Sequence, residues 1–529
     1  MSIRAWFSAI VVLLCATLLA DGCTGGGHAG VADAAPPDDA AVPHPDARVP
    51  VVTSGSVVTH HNSPTRNGLY VVPTLTRAAA ATLVQDPGFH AVIEGPTYAH
   101  PLFHDGGAGG QDRVIVATEH NDVYALDASS GAQVWHVNLG KPVPLDVLPC
   151  GNIDPLGITG TPYLDEASGT IFLDAMILSA KGAPRHHIFA LALADGSARP
   201  GWPVGGLDVD ATVAHGEFAF HSEVQNQRGA LLVLGDTLYV PYGGHFGDCG
   251  EYRGWLVGVP LLHPERTKAF ATRAEGAGSW APGGVASDGE SLFVSTGNGF
   301  GAHAWSDQEA ILRLAPGPVF TPDADNFFAP TNWPVLDAGD IDLGGSGPIL
   351  VHVAGATPAD LAVALGKDGI AYLIDRKHMG GVSAPLAKLE ASPAQIITAA
   401  SAYPTTRGVN VTFHGAGAGC PGGRRGDLVT LRITATRPPR LEVAWCARED
   451  GEGSPMVTTT DGTSESIVWT IGSEGSQELR GFDGDTGAMI YAGAIDDKQA
   501  AFRRFVSPIV GKGRIYVAGD QGVYAFRPR

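Results

Sequence analysis

Arg113 to Gly140 reads RVIVATEHNDVYALDASSGAQVWHVNLG. An alternating run, Val114 to Thr118, leads into a polar turn at Glu119 to Asp122. A second run, Val123 to Asp127, enters a Ser-Ser-Gly turn, and a third run carries Trp135. Alternation with period two predicts strands with one buried face. Asp127 ahead of Ser-Ser-Gly131 supplies a short acid able to accept hydrogen bonds from the amides of its own turn.

The unit recurs. Ala362 to Gly380, Ile467 to Tyr491 and Arg514 to Phe526 each hold an apolar run, a Gly- or Asx-containing turn and a second run with an aromatic or apolar residue. The turns Lys367-Asp368-Gly369, Glu474-Gly475 and Asp520-Gln521-Gly522 provide the positive φ that tight hairpins need. Asp483 and Gly487 repeat Asp127 and Gly131, and Gly487 to Tyr491 keeps the spacing of Gly131 to Trp135. A second mark is a small or polar residue followed by Pro at the start of an apolar run: His100-Pro101, Thr161-Pro162, Gly347-Pro348, Ser454-Pro455 and Ser507-Pro508, with a variant at Pro282-Gly283-Gly284. Proline fits at the first residue of a strand, where no ladder hydrogen bond is lost.

Repeated sheets of this kind predict an all-β propeller. Unit centres at Tyr124, Phe172, Tyr239, Phe293, Tyr372, Phe413, Trp469 and Tyr516 give eight blades. Seven is the alternative count, because the third and sixth units lack the Pro mark. Asp86 to Gly95 is an isolated strand and the C-terminus ends on three, so one blade built from both ends would close the ring and remove free sheet edges.

Tyr-Ala-Leu-Asp followed by x-x-Ser-Gly and x-x-x-Trp resembles the repeat of the pyrroloquinoline-quinone (PQQ)-like propellers, the quinoprotein alcohol dehydrogenase-like superfamily. That superfamily holds dehydrogenases and also non-enzymatic propellers such as the lipoprotein of the outer-membrane barrel-assembly machinery. The resemblance spans most of residues 51–529, assigned as the propeller. It implies PQQ and Ca²⁺ as cofactors if the chain is an enzyme.

Composition agrees with an all-β chain: 71 Gly and 38 Pro in 529 residues, with 17% charged. A formal net charge of −20 disfavours nucleic acid, since no basic run offers phosphate contacts. Residues 1–22 read as an export signal, with Arg4 ahead of an apolar run too short for a confident membrane span. Ala20-Asp21-Gly22-Cys23 resembles a bacterial lipobox, departing from it at Ala20 and Asp21, and makes Cys23 the expected lipidated residue; simple signal cleavage is the alternative. Residues 23–50, rich in Gly, Ala, Pro and Asp, read as a flexible tether.

Cys150, Cys249, Cys420 and Cys446, an even number in an exported chain, predict disulfides. No Cys-x-x-Cys pair supports zinc, and no Cys-x-x-Cys-His supports covalent haem. Blade topology places all four on the face where the second-to-third turns and the interblade links open. Proximity there favours Cys150–Cys249 and Cys420–Cys446, read as loop staples.

Any ligand belongs on that same face, where loops converge on the axis. Asp337, Asp340 and Asp342 offer hard oxygens for Ca²⁺, against the simpler reading as turn formers. The resembling dehydrogenases also carry an Asp-x-Asp ahead of an inner strand. Trp280 offers a face for a planar cofactor, against a packing role; Asn298 and Lys367 sit in hairpin turns able to point into the channel. His245 and Asp248 are an acid–base pair or simply contacts of the Cys249 loop. The dehydrogenase pattern is broken by the lack of an adjacent Cys-Cys and of a full set of Ca²⁺-binding Glu and Asn with a catalytic Asp. No Gly-x-Ser-x-Gly elbow supports serine hydrolysis. The first expectation is a non-catalytic, membrane-anchored scaffold of the cell envelope, binding a protein or a glycan on its loop-rich face. The second is a periplasmic or extracellular PQQ- and Ca²⁺-dependent oxidoreductase of the alcohol or sugar dehydrogenase type. An open axial slot with Trp280 on one side and acids opposite would favour a cofactor; a channel plugged by core residues would favour a scaffold.

Overall fold

The alternation of the opening stretch becomes three antiparallel strands, Arg113–Ala117, Asp122–Asp127 and Gln133–Asn138, with Leu102–His104 on the inner edge. In the computed structural model, which describes residues 55–529 apart from 424, 498 and 499, eight such sheets follow one another as the blades of a propeller. They begin at Leu102, Tyr163, Leu232, Ala286, Ile349, Ser401, Met456 and Ile509. Each centre expected from the sequence falls in a different blade. The export signal, Cys23 and the tether lie outside the described residues.

The ring closes as expected. Blade 8 has three C-terminal strands, Ile509–Gly511, Arg514–Ala518 and Gly522–Pro528. Its outer edge is covered by Leu83–Gln85 and Ala91–Val92, both antiparallel to Gly522–Pro528. Asp86, 5% exposed, fixes this junction through Arg514 at 3.0 Å and Arg527 at 3.3 Å.

The repeated aromatic is explained by packing between blades. Trp135 of blade 1 donates its indole N–H to Leu193 O at 2.9 Å. Its ring lies where a Cβ on Gly196 of blade 2 would come within 2.8 Å, and Gly196 has φ +75°. Trp445 repeats the arrangement on blade 7: its indole donates to Gly484 O at 2.8 Å, and a Cβ on Gly487 would come within 2.6 Å of its ring. The Asp483-x-x-x-Gly487 turn therefore docks the aromatic of the preceding blade, as the Ala192-x-x-x-Gly196 turn docks Trp135. Asp127 and Asp483 hold their own turns by accepting from Ser130 N at 2.8 Å and Thr486 N at 2.9 Å.

A feature the sequence reading did not anticipate lies on the axis. Residues 57–71 run past the first strands of seven blades in order. Val57 exchanges two backbone bonds with Phe103, and the carbonyls of Val58, Pro64, Thr65, Asn67 and Gly68 accept from Leu164, Ser287, Leu350, Ala402 and Val457. In blade 3, Thr59 Oγ1 donates to Leu231 O at 3.2 Å. Leu69–Val71 then pairs in parallel with Met456–Thr459 of blade 7. The segment satisfies inner sheet edges that would otherwise be bare.

Arg66 is its anchor, 2% exposed. The guanidinium donates to Val285 O at 2.8 Å, Leu231 O at 2.9 Å, Thr59 Oγ1 at 2.7 Å and His60 O at 3.1 Å. His60, His61 and His100 cluster beside it in tilted and edge-on contacts, with ring centroids 4.1 to 6.0 Å apart. Burial lowers the pKa of His61 to about 3, which keeps its ring neutral.

The one described helix longer than four residues is Trp333–Gly339, which no periodicity announced. Pro334 in its first turn is compatible with a helix start, and Asp340 ends it in the left-handed region at φ 51°.

Candidate functional site

Above the axial segment lies an open cavity of about 900 Å³, in the upper range for small-molecule sites. Its lining comes from the two kinds of loop that open on one face: second-to-third turns and the segments leading into first strands. Trp280, Asn298, Lys367, Asp340 and Asp342 all line it, and so do His245 and Asp248. Asp337 does not. Its helix turns it aside, and its Oδ1 accepts from Gly299 N at 2.7 Å.

Lys367 reaches from the turn of blade 5 into an acidic pair, with Nζ 2.7 Å from Asp340 Oδ1 and 2.6 Å from Asp342 Oδ2. The other oxygen of Asp342 accepts from Asn298 N at 2.7 Å, so Asn298 contributes its backbone here. Burial opposes the ammonium, but Asp342 and Asp340 outweigh it and raise the Lys367 pKa. Nζ also lies 5.6 Å from the Trp280 ring centroid, a cation–π distance.

The acids expected to offer Ca²⁺ ligands have other partners in this structure. Asp337 is directed to a backbone amide, and Asp340 and Asp342 share an ammonium. Among the described residues, the one group of three acids and histidines with converging ligand atoms is Asp210, His221 and Glu223, on the outer loops. So engaged, Asp337, Asp340 and Asp342 do not fit a divalent cation in the cavity.

His245 and Asp248 do not pair either. The His245 ring bonds Glu223 O at 3.2 Å, and Asp248 accepts from Tyr252 OH at 2.7 Å. Burial, and then His186, lower the His245 pKa to about 4. Both residues belong to the loop that the Cys150–Cys249 bond fastens beside the cavity. The second bond joins Cys420 and Cys446 within blade 6. Both pairings match those expected.

The most consequential lining residue escaped the sequence reading. Arg228 makes no hydrogen bond or ion pair with any described residue, and its Nε is buried without a partner. Its guanidinium instead faces aromatic rings, 5.6 Å from Trp280 and 5.9 Å from Phe505. Burial lowers its pKa, yet an arginine stays charged at neutral pH. The other cations of the cavity wall are neutralised: Arg503 by Asp520 at 2.5 Å and Arg504 by Glu474 at 2.6 Å. A signal for Arg228 existed. Tyr98, Thr159, Arg228, Ile397 and Phe505 each stand four residues ahead of their blade's first strand, which start at Leu102, Tyr163, Leu232, Ser401 and Ile509. All five face the axial cavity or the small void below it. Arg228 is the single charge in that series.

Glu309, fully buried behind Asp342, accepts from Leu343 N at 2.6 Å. Burial, then Asp342, push its pKa up to about 10. A carboxyl that keeps its proton when folded, but loses it near 4.5 when unfolded, makes folding weaker as pH rises between those values. Glu309→Gln removes the effect while preserving shape and the acceptor for Leu343. The stability gain of Glu309→Gln over the parent is expected to grow from pH 5 to pH 9, by at most about 1.4 kcal/mol per pH unit. Urea unfolding across that range measures it, and a constant difference would contradict the buried protonated acid.

Comparison with known proteins agrees with the fold. The family described as outer membrane protein assembly factor BamB matches residues 75–172. No curated protein matches the sequence. Among solved structures, quinohemoprotein alcohol dehydrogenase ADHIIG from Pseudomonas putida HK5 is similar at 13% identity and TM-score 0.60, covering 90% of this chain and 80% of its own. The quinohemoprotein alcohol dehydrogenase of Comamonas testosteroni is similar at 13% identity and TM-score 0.55, with 91% and 81% covered. A europium-containing methanol dehydrogenase gives 14% identity and TM-score 0.56, with 89% and 91% covered. At such identities the likeness concerns the fold. With its eight blades and its interblade tryptophan docking, the chain is an eight-bladed β-propeller, similar in fold to the quinohemoprotein alcohol dehydrogenases and, over residues 75–172, to the BamB family.

Proposed function

We propose that this is an exported binding propeller of the cell envelope that takes a planar anionic molecule into its axial cavity. The observation that carries the reading is Arg228, a guanidinium with no hydrogen-bonded carboxylate among the described residues, beside the Trp280 ring in an open cavity. A flat carboxylate would gain a charge-assisted bond from Arg228 and a stacking face from Trp280. Two disulfides favour an oxidising compartment. Anchoring through Cys23, and an envelope protein or glycan on the loop-rich face, complete the proposal.

The second reading is a quinone-dependent oxidoreductase, favoured by the open slot itself. PQQ is planar and carries three carboxylates, so Trp280 and Arg228 fit its ring and charge. The acids at the cavity that could hold Ca²⁺, Asp340 and Asp342, are engaged by Lys367. A bound quinone would supply an acceptor for the two electrons and two protons that an alcohol gives up on becoming a carbonyl compound. Arg228 and Trp280 would orient it, beside Asp342 and its Lys367 partner.

The test is reconstitution with PQQ, with and without Ca²⁺, followed by a binding isotherm and a dye-linked screen on alcohols and sugars. Binding without dye reduction is expected. Quinone-dependent dye reduction would establish the oxidoreductase reading instead.

A further inference from the structure

The acidic corner of the cavity has the shape of a cation site but already contains its cation. We infer that Lys367 is a built-in counter-ion that occupies the place of a divalent metal, so that the axial cavity works without one. The inference rests on the reading of the cavity as a ligand site, but its test does not.

The geometry is specific. Nζ of Lys367 sits 2.7 Å from Asp340 Oδ1 and 2.6 Å from Asp342 Oδ2, distances of charge-assisted hydrogen bonds. Asp342 is nearly buried and Asp340 is largely exposed, with side-chain exposures of 5% and 58%. The inner carboxylate therefore needs a permanent partner, since a buried unpaired charge is costly. Asn298 N completes its other oxygen. Lys367 itself is fixed from below, where its backbone N–H donates to Asp342 O at 2.8 Å. The turn and the acidic loop are thus joined by the backbone as well as by the ammonium. Behind them, the unpartnered Oε1 of Glu309 adds a further buried oxygen to the same corner.

The consequence concerns selectivity. An ammonium 5.6 Å from Trp280 presents positive charge to a ligand stacked on that ring. Together with Arg228, on the same ring at 5.6 Å, it makes two protein cations flank the stacking face. A divalent ion would have to displace Lys367 from Asp342 before it could bind. Removing the lysine side chain should do this by substitution: Lys367→Ala leaves Asp340 and Asp342 facing each other, with hard oxygens free for Ca²⁺.

The experiment is a thermal-unfolding titration with CaCl₂ and no other ligand, on the parent protein, Lys367→Ala and Lys367→Ala/Asp342→Asn. The parent should show no Tm change across the millimolar range. Lys367→Ala should start with a lower Tm and recover it with Ca²⁺, rising with the logarithm of concentration as binding linkage requires. The double variant should lose the response. A parent protein stabilised by Ca²⁺, with the effect removed by Asp342→Asn alone, would overturn the inference. So would a Lys367→Ala protein that folds and ignores Ca²⁺. Should Lys367→Ala fail to fold, Lys367→Gln provides the same comparison with the side-chain volume kept. Planar-anion binding to the parent is then measured with EDTA present. Binding that survives EDTA supports the counter-ion role, and binding that EDTA abolishes overturns it; a protein that binds no anion at all refutes the ligand reading, while the Ca²⁺ titration still decides the role of Lys367.

Discussion

Arg66→Met is expected to cost about 3 kcal/mol or more of stability and to loosen the axis on which the blades converge. Four hydrogen bonds from one buried guanidinium reach Val285 O, Leu231 O, Thr59 Oγ1 and His60 O. Each buried acceptor left bare costs about 1–3 kcal/mol. Removing a buried charge offsets part of the loss, since burial already lowers the Arg66 pKa to about 9. Arg66→Lys should recover little, because a compact ammonium cannot span the fork that ties blades 3 and 4 to residues 57–71. Denaturant unfolding measures both variants. A loss under 1 kcal/mol for Arg66→Met would show that the axial segment is not held in this way.

Replacing residues 83–92 by a Gly/Ser linker of equal length should have the largest effect. It bares the outer edge of Gly522–Pro528 and removes buried Leu83 and Phe89, the latter packed edge-on to Tyr516 at 5.6 Å. Deleting a buried Phe or Leu side chain typically costs about 2–5 kcal/mol, and an open sheet edge invites pairing with other chains. Aggregation or a broad, non-cooperative melt is the expected outcome by calorimetry and light scattering. A monodisperse variant with an unchanged melting curve would place ring closure elsewhere.

These two regions differ in how legible they were. Ring closure was readable because DPGFHAVIEG is an unpaired strand and the C-terminus offers three strands needing a fourth. The blade count was readable because strand–turn–strand units, local in sequence, repeat along the chain, with Asp127, Gly131 and Trp135 returning as Asp483, Gly487 and Tyr491. The axial segment was not. VVTHHNSPTRNGLYV, residues 57–71, lacks alternation, and its bonds go to seven separate blades. The site was read in part: Trp280, Asn298, Lys367, Asp340 and Asp342 do meet. What the residue types could not tell is that two acids would be spent on a lysine. Arg228 was missed for a related reason. An arginine in a turn is ordinarily a solvated charge, and only the register shared with Tyr98 and Phe505 sends it toward the axis.

Arg228, with no hydrogen-bonded carboxylate among the described residues, is what we propose makes this cavity a receptor for planar anions. The direct measurement is a fluorescence titration of the parent protein and Arg228→Met with PQQ, using indole quenching and a series of salt concentrations. The parent should bind saturably and bind less tightly as salt rises, because the contact is ionic. Arg228→Met should bind at least about tenfold more weakly, the equivalent of about 1.4 kcal/mol, with an unchanged melting temperature. Equal affinity in the two proteins, or no saturable binding in the parent, would contradict the account.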